Sequence, residues 1–160
     1  LGIVTGMVAG LGTITPASGF VGPAGALVIG LSAGVICYYA TQAIKQRFHI
    51  DDSLDVFPVH GVGGMLGTLL AGIFASDQLG VFSGQGYNEG MNMASQVLVQ
   101  ITGIIATFAY TAVITYLLLK LIDNLLTLRV DEEDEILMSW GLEWDREYGN
   151  LVLNSQHVTA

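Results

Sequence analysis

Leu54-Asp55-Val56-Phe57-Pro58-Val59-His60-Gly61-Val62-Gly63-Gly64-Met65-Leu66-Gly67-Thr68-Leu69-Leu70-Ala71-Gly72-Ile73-Phe74-Ala75 is an apolar run with one acid near its start and one histidine inside it. A membrane-crossing helix needs roughly 20 apolar residues at about 1.5 Å rise each, and this run is long enough. Two further runs flank it. Residues 23–46 open on Pro23, whose missing N–H does no harm at a first helical position, and carry no formal charge as far as Ile44. Residues 96–128 are uncharged as far as Leu119 and continue as an amphipathic extension. Fully helical, this last run rises on the order of 50 Å, so it must tilt or project from the bilayer. A partial span over about residues 1–10 precedes them, so the chain reads as a piece that begins inside a helix. The expected fold is all-α, a polytopic transmembrane helical bundle over residues 1–128, followed by an acidic tail over 129–160.

Composition agrees with this division. Of 160 residues, 52% are hydrophobic and 12% charged, about half the charged share of a soluble domain. Mean hydropathy is +0.60. The formal net charge of -9 is uneven, because eight of the 14 acids lie beyond Val130 with Arg146 as their one base. Such a balance excludes nucleic acid as a partner, since phosphate binding needs basic patches. The lone Cys37 lies in an apolar run and supports neither a disulfide framework nor a cysteine metal site. No metal-ligand cluster, phosphate-cradling loop or nucleophile motif is present, and no cofactor is expected. Lys45, Arg47, Lys120, Arg129 and Arg146 all fall on one side of a simple alternating topology. Basic loops stay in the cytoplasm, which places the C-terminus there; the expected location is the plasma or inner membrane.

Small residues recur four apart at Gly30 and Gly34, at Gly63 and Gly67, and at Gly67 and Ala71. In lipid such positions let helix backbones approach closely, so these pairs read as contact faces.

His60 is the residue with the clearest claim on function. An ionisable group within a membrane helix is expensive and marks a polar pathway or relay. Imidazole exchanges protons near neutral pH, and its neutral ring offers one donor and one acceptor, which suits a small molecule such as ammonia. Pro58, two residues earlier, removes a backbone donor and is expected to kink or open the helix. Asp51 and Asp52 stand where that helix begins and favour the positive end of its dipole, with capping the plainer reading and a direct substrate role the other. Asp55 reads as one turn inside the helix, too deep for capping, and as a tether to a neighbouring helix. His49 and His157 read as solvated. A catalytic reading of His60 as general base lacks a second catalytic group.

Thr13-Ile14-Thr15-Pro16-Ala17-Ser18-Gly19-Phe20-Val21-Gly22-Pro23, followed by Ala24-Gly25-Ala26-Leu27, resembles the signature of the ammonium transporters of the Amt/Mep family. Asp51-Asp52, Asp55-Val56-Phe57 and Val59-His60-Gly61 resemble the segment that carries the family's second pore histidine. The resemblance covers roughly residues 1–130 and is closer to the Amt than to the Rhesus branch. It implies eleven spans, of which this chain holds the last three to four, and a homotrimer with one narrow hydrophobic pore per subunit. It implies that ammonium or ammonia passes two facing histidines, with His60 the second, and that Val56 lines the pore. It further implies an inner vestibule at Asp51 and Asp52, and a structural acid at Asp55. A PII-type regulator at the cytoplasmic face belongs to the same pattern. Two departures stand out. Pro58 replaces an expected glycine, and after Gly141-Leu142-Glu143-Trp144 the tail runs Arg146-Glu147-Tyr148-Gly149 in place of an expected His-Gly-Glu element. A sensor of the same fold, or an unrelated polytopic membrane protein with an intramembrane histidine, shares the central features.

Overall fold

The structure, a computed structural model, describes residues 2–50, 52 and 54–126. Among them every regular element is helical: α1 (Gly2–Ile14), α2 (Pro23–Gln42), α3 (Gly63–Phe74) and α4 (Met93–Leu125). Two wide, π-type turns extend these helices, Ala43–Arg47 at the end of α2 and Phe57–Val62 at the start of α3. Short 3-10 turns cover Thr15–Ala17 and Gly80–Phe82. Three helical stretches are long and apolar enough to cross a membrane, Pro23–Arg47, Phe57–Phe74 and Met93–Leu125, with a shorter apolar one over Ile3–Ala17. The protein is therefore a polytopic helical membrane protein.

The chain divides into two compact units, Leu1–Tyr110 and Thr111–Ala160. In the first, the end of α1 is set by local chemistry. The Thr15 hydroxyl donates to the Leu11 carbonyl at 2.8 Å, Ser18 N–H to Thr15 O and Phe20 N–H to Ala17 O. Gly19 takes a φ of 82°, which a side chain would resist. The chain then restarts as α2 with Pro23 in its first turn. Asn92 and Ser95 cap the start of α4 reciprocally: Ser95 N–H donates to Asn92 Oδ1 at 3.0 Å, and Asn92 N–H to Ser95 Oγ at 2.9 Å.

Three rows of residues, each four apart, meet at the core. α1 contributes Ala9 and Thr13, continued by Ala17; α2 contributes Gly25, Ile29, Ala33 and Cys37; α3 contributes Gly63, Gly67 and Ala71. Rows at this spacing form the ridges by which helices interlock. One cluster joins Ala9, Cys37 and Val59, and a second joins Ala17, Ile29 and Ala71 under Ile14, Val21, Leu70 and Phe74. The approach of α1 to α3 is so close that a Cβ on Gly67 would overlap the Thr13 carbonyl oxygen. One on Gly63 would lie 2.7 Å from Thr13 Oγ1 and 3.3 Å from Cys37 Sγ. Gly63, Gly67 and Ala71 thus do form a contact face. Gly30 and Gly34 do not: a Cβ on either meets nothing within 4 Å. The face of α2 that packs lies one residue to the side, where Ile29 fills volume and Gly25 and Ala33 admit it.

At the far end of α3 the connection to α4 folds back over the bundle. Gly84 N–H donates to Ser76 O, Gln85 N–H to Phe20 O and Gly86 N–H to Ala75 O. The Tyr87 hydroxyl donates to the Gly72 carbonyl at 2.7 Å and lies 3.2 Å from that of Ile73. These carbonyls belong to the last turn of α3, where few intrahelical donors remain; Ile73 O also accepts Ser76 N–H at 3.3 Å. In contrast, α4 buries none of its described residues.

Candidate functional site

The sequence-predicted residues converge on the start of the third membrane helix. Asp52 is its cap: Val56 N–H donates to Asp52 Oδ1 and Phe57 N–H to Asp52 Oδ2, both at 2.8 Å. A carboxylate so placed satisfies two of the helix's four orphan donors and meets the positive end of its dipole. Capping therefore accounts for Asp52. Asp51 lies outside the described residues, as do His157 and the acidic tail.

Asp55 requires a correction. It stands before the helix rather than one turn inside it, with its carbonyl accepting Val59 N–H at 3.0 Å. Its φ is 56°, in the left-handed region. For an L-residue that conformation costs on the order of 1 kcal/mol, though Asp tolerates it better than most. Its carboxylate does tether a neighbouring helix, through an ion pair from Lys45 Nζ to Asp55 Oδ1 at 2.7 Å. Lys45 lies in the wide turn that ends α2. Neither charge flanking this link was paired by the sequence reading, although opposite charges at Lys45 and Asp55 on a chain that must reverse between two spans were the available signal.

Pro58 falls in the first turn of the helix, where its missing N–H costs little, and lies within the wide turn Phe57–Val62, a local opening of the kind expected there. The local irregularity is the wide turn Phe57–Val62 itself, and His60 sits within it. Pro58 and Val59 are buried. Val56 and His60, four residues apart, are exposed in this unit, Val56 to 51%. The His60 ring lies beside α1, where a Cβ on Gly12 would come within 3.9 Å of its Nδ1. Gly61 leaves room for the Phe57 ring, whose atoms would be 3.0 Å from an added Cβ.

The structure thus brings Asp52, Asp55, Val56, Pro58 and His60 to one helix start and presents Val56 with His60 on its uncovered side. A cleft of ≈ 290 Å³ between α1, α2 and this helix is lined by Thr5, Cys37, Gln42, Asp55 and Val59 among others, and by neither Val56 nor His60. His49, also at a left-handed φ of 52°, is exposed in the link and takes no part. Thr13, near the end of α1, is a buried polar residue.

Comparison with known proteins gives a consistent result. A model described as "Ammonium Transporter Family" matches residues 1–140. An "Ammonium transporter" of Aquifex aeolicus (strain VF5) is 41% identical over 148 residues, which is 92% of this chain and 34% of that protein. An "Ammonium transporter" of Bacillus subtilis (strain 168) is 38% identical over 137 residues, 86% of this chain and 33% of its own length. A "Putative ammonium transporter" of Methanothermobacter thermautotrophicus is 44% identical over 138 residues, 85% of this chain and 33% of its own. The chain spans about a third of the length of these curated relatives.

Proposed function

Because the chain belongs to the Ammonium Transporter Family, we propose that it supplies part of a narrow path conducting ammonium or ammonia across a membrane, with His60 as the second of two pore histidines. The observation that carries this reading is the placement of His60. The chain commits a backbone irregularity, a left-handed residue and a doubly engaged cap to the first turns of one helix, and the imidazole stands there with Val56 on the uncovered side. A group that merely completed interhelical hydrogen bonding would be expected to face the packed side, where Pro58 and Val59 lie. An apolar lining at Val56 favours a dehydrated species, and imidazole can both donate to and accept from ammonia or relay its proton.

On this reading residues 1–128 form the membrane part and 129–160 a cytoplasmic tail, so that the Lys45 end of the bundle faces the cytoplasm and the C-terminus lies on the same side. The family pattern adds a homotrimer and a PII-type partner at that face. Transport rather than catalysis is the reading that the family of the chain supports.

The test uses the protein that contains this chain, expressed in cells lacking other ammonium uptake. His60→Ala is expected to lower methylammonium uptake at least about tenfold, a barrier change of roughly 1.4 kcal/mol, while trimers still assemble. Selective uptake at the unaltered rate would overturn the assignment of His60. Ammonium-dependent signalling without uptake in the unaltered protein would move it to a sensor.

A further inference from the structure

The contact between Lys45 and Asp55 joins the wide turn Ala43–Arg47 to the residue two places ahead of the wide turn Phe57–Val62, across the link between α2 and α3. Its value does not lie in Coulombic stabilisation. The Lys45 side chain is 41% exposed, and pairs so open to water contribute little to folding. The Asp55 end is different. Its side chain is 17% exposed, and Oδ1 is buried with no hydrogen-bond partner among the described residues, which leaves the Lys45 ammonium as its compensation. Removing the ammonium would strand a buried carboxylate oxygen. That oxygen can recover water only by turning outward, and the left-handed φ of Asp55 is then held only by its backbone bonds, Asp55 N–H to Asp52 O and Val59 N–H to Asp55 O.

Asp55 is also where the geometry of the next turn is decided. Its carbonyl accepts the Val59 N–H, while Asp52 takes those of Val56 and Phe57. The wide turn starts from these three bonds, and His60 lies five residues from Asp55 within it. A π-type turn is a local alternative to regular α-helix and occurs often at functional sites. If Asp55 relaxes to an ordinary backbone conformation, the helix can begin in a different register, and the imidazole moves from its place beside Gly12.

We propose that Lys45 is a positioning residue: by holding Asp55 in its left-handed conformation, it fixes the wide turn Phe57–Val62 and with it the orientation of His60. The proposal rests on the reading of His60 as a path residue, but the two can fail separately.

The experiment has a geometric arm and a transport arm, both in the protein that contains this chain. For geometry, Gly12→Cys and His60→Cys are combined with other cysteines replaced, and copper-driven disulfide formation is followed with Lys45 present or changed to Met. Disulfide geometry is strict, and a moved residue 60 should slow the cross-link about fivefold or more. For transport, Lys45→Met in the otherwise unaltered protein should lower maximal methylammonium uptake about tenfold at equal membrane abundance. Lys45→Arg, which keeps the charge and reach, should restore both readouts, a rescue that a loss of bulk alone would not show. Where Lys45→Met does not reach the membrane, Lys45→Gln is judged on the same two readouts. An unchanged cross-linking rate overturns the inference whatever His60 does. Slowed cross-linking with full uptake overturns it too, because the position then does not matter to transport. His60→Ala at the unaltered uptake rate overturns instead the reading of His60 on which this rests.

Discussion

The stretch Phe57–Phe74 and helix α4 are both long and apolar enough to cross a membrane. Yet the first buries Gly63, Gly67, Ala71 and Gly72, and the second buries nothing among the described residues. In water, burial follows the area of apolar surface removed from solvent. In lipid that drive is absent between helices, and contact follows from how closely two backbones can approach. Glycine and alanine on one face of α3 allow α1 to approach it closely at Thr13. Near its start α4 approaches α3, where a Cβ on Gly72 would lie 3.0 Å from the Gln100 side chain and 3.5 Å from Val97 Cα. Further along, the large side chains of α4 such as Ile105, Phe108 and Tyr110 are exposed, and the glycine-rich helix forms the scaffold on which His60 stands.

The largest expected effect tests the close seam. Gly67→Ala places a methyl group on the Thr13 carbonyl oxygen, a backbone atom that cannot rotate aside. Over-packing costs typically 1–3 kcal/mol and occasionally more, and relief here requires α1 and α3 to separate. We expect a loss of about 3 kcal/mol or more, seen as a large fall in thermal stability in detergent or in the yield of folded protein. Unchanged stability would mean that the seam is not close-packed, and the contrast with α4 would lose its basis.

Much of this scaffold was legible in the sequence, for reasons that also mark where legibility stopped. Uncharged runs of spanning length reveal membrane helices whatever their partners. A histidine inside one stands out because nothing else in the run resembles it. Gly63, Gly67 and Ala71 could be found because all three are small. The packing row of α2 mixes Gly25, Ile29, Ala33 and Cys37, so its register is visible only once the opposing helices are in place, and the tempting pair Gly30 and Gly34 points elsewhere. Of the wide turns, only the local opening at Pro58 was legible, and not its π-type geometry. Over six residues, a π-type and an α-type turn present nearly the same apolar pattern, and the choice depends on backbone bonds to Asp52 and Asp55. The same holds for Asp55 itself, whose place ahead of the helix follows from Asp52 capping Val56 and Phe57.

A smaller effect is expected where the seam is closed at its other end. The Tyr87 hydroxyl bonds to the Gly72 carbonyl and supports the loop over the end of α3. Tyr87→Phe should cost about 1 kcal/mol, the usual net value of such a bond, read as a lower melting temperature with uptake retained. Burial, with the Asp77 charge adding to it and a bond with Ser76 opposing it, raises the Tyr87 phenol above its ordinary value of 10.0. The proton is therefore held more tightly in the folded protein than in the unfolded chain. The stabilisation is fully present below about pH 10 and is lost as pH rises from there through the folded-state value. Melting curves across pH 9 to 11 should fall more steeply with tyrosine than with phenylalanine at this position; parallel curves would remove Tyr87 from the seam.

The smallest effect uses the same chemical change as the largest. Gly103→Ala lies within α4, where an added Cβ meets nothing within 4 Å. Alanine is preferred to glycine in a helix interior by about 1 kcal/mol, and less where neighbouring residues already hold the helix. The expected outcome is a gain of a few tenths of a kcal/mol at most, against a loss for Gly67→Ala under the same conditions. The two substitutions share their size, polarity and effect on the unfolded chain, so the difference between them isolates what each glycine faces. If Gly103→Ala instead destabilised the protein as Gly67→Ala does, another helix would have to approach α4 at Gly103 as closely as α1 approaches α3. In that case α4 would be an interface in the assembled protein, and lipid exposure could no longer explain why its large side chains are uncovered in this chain.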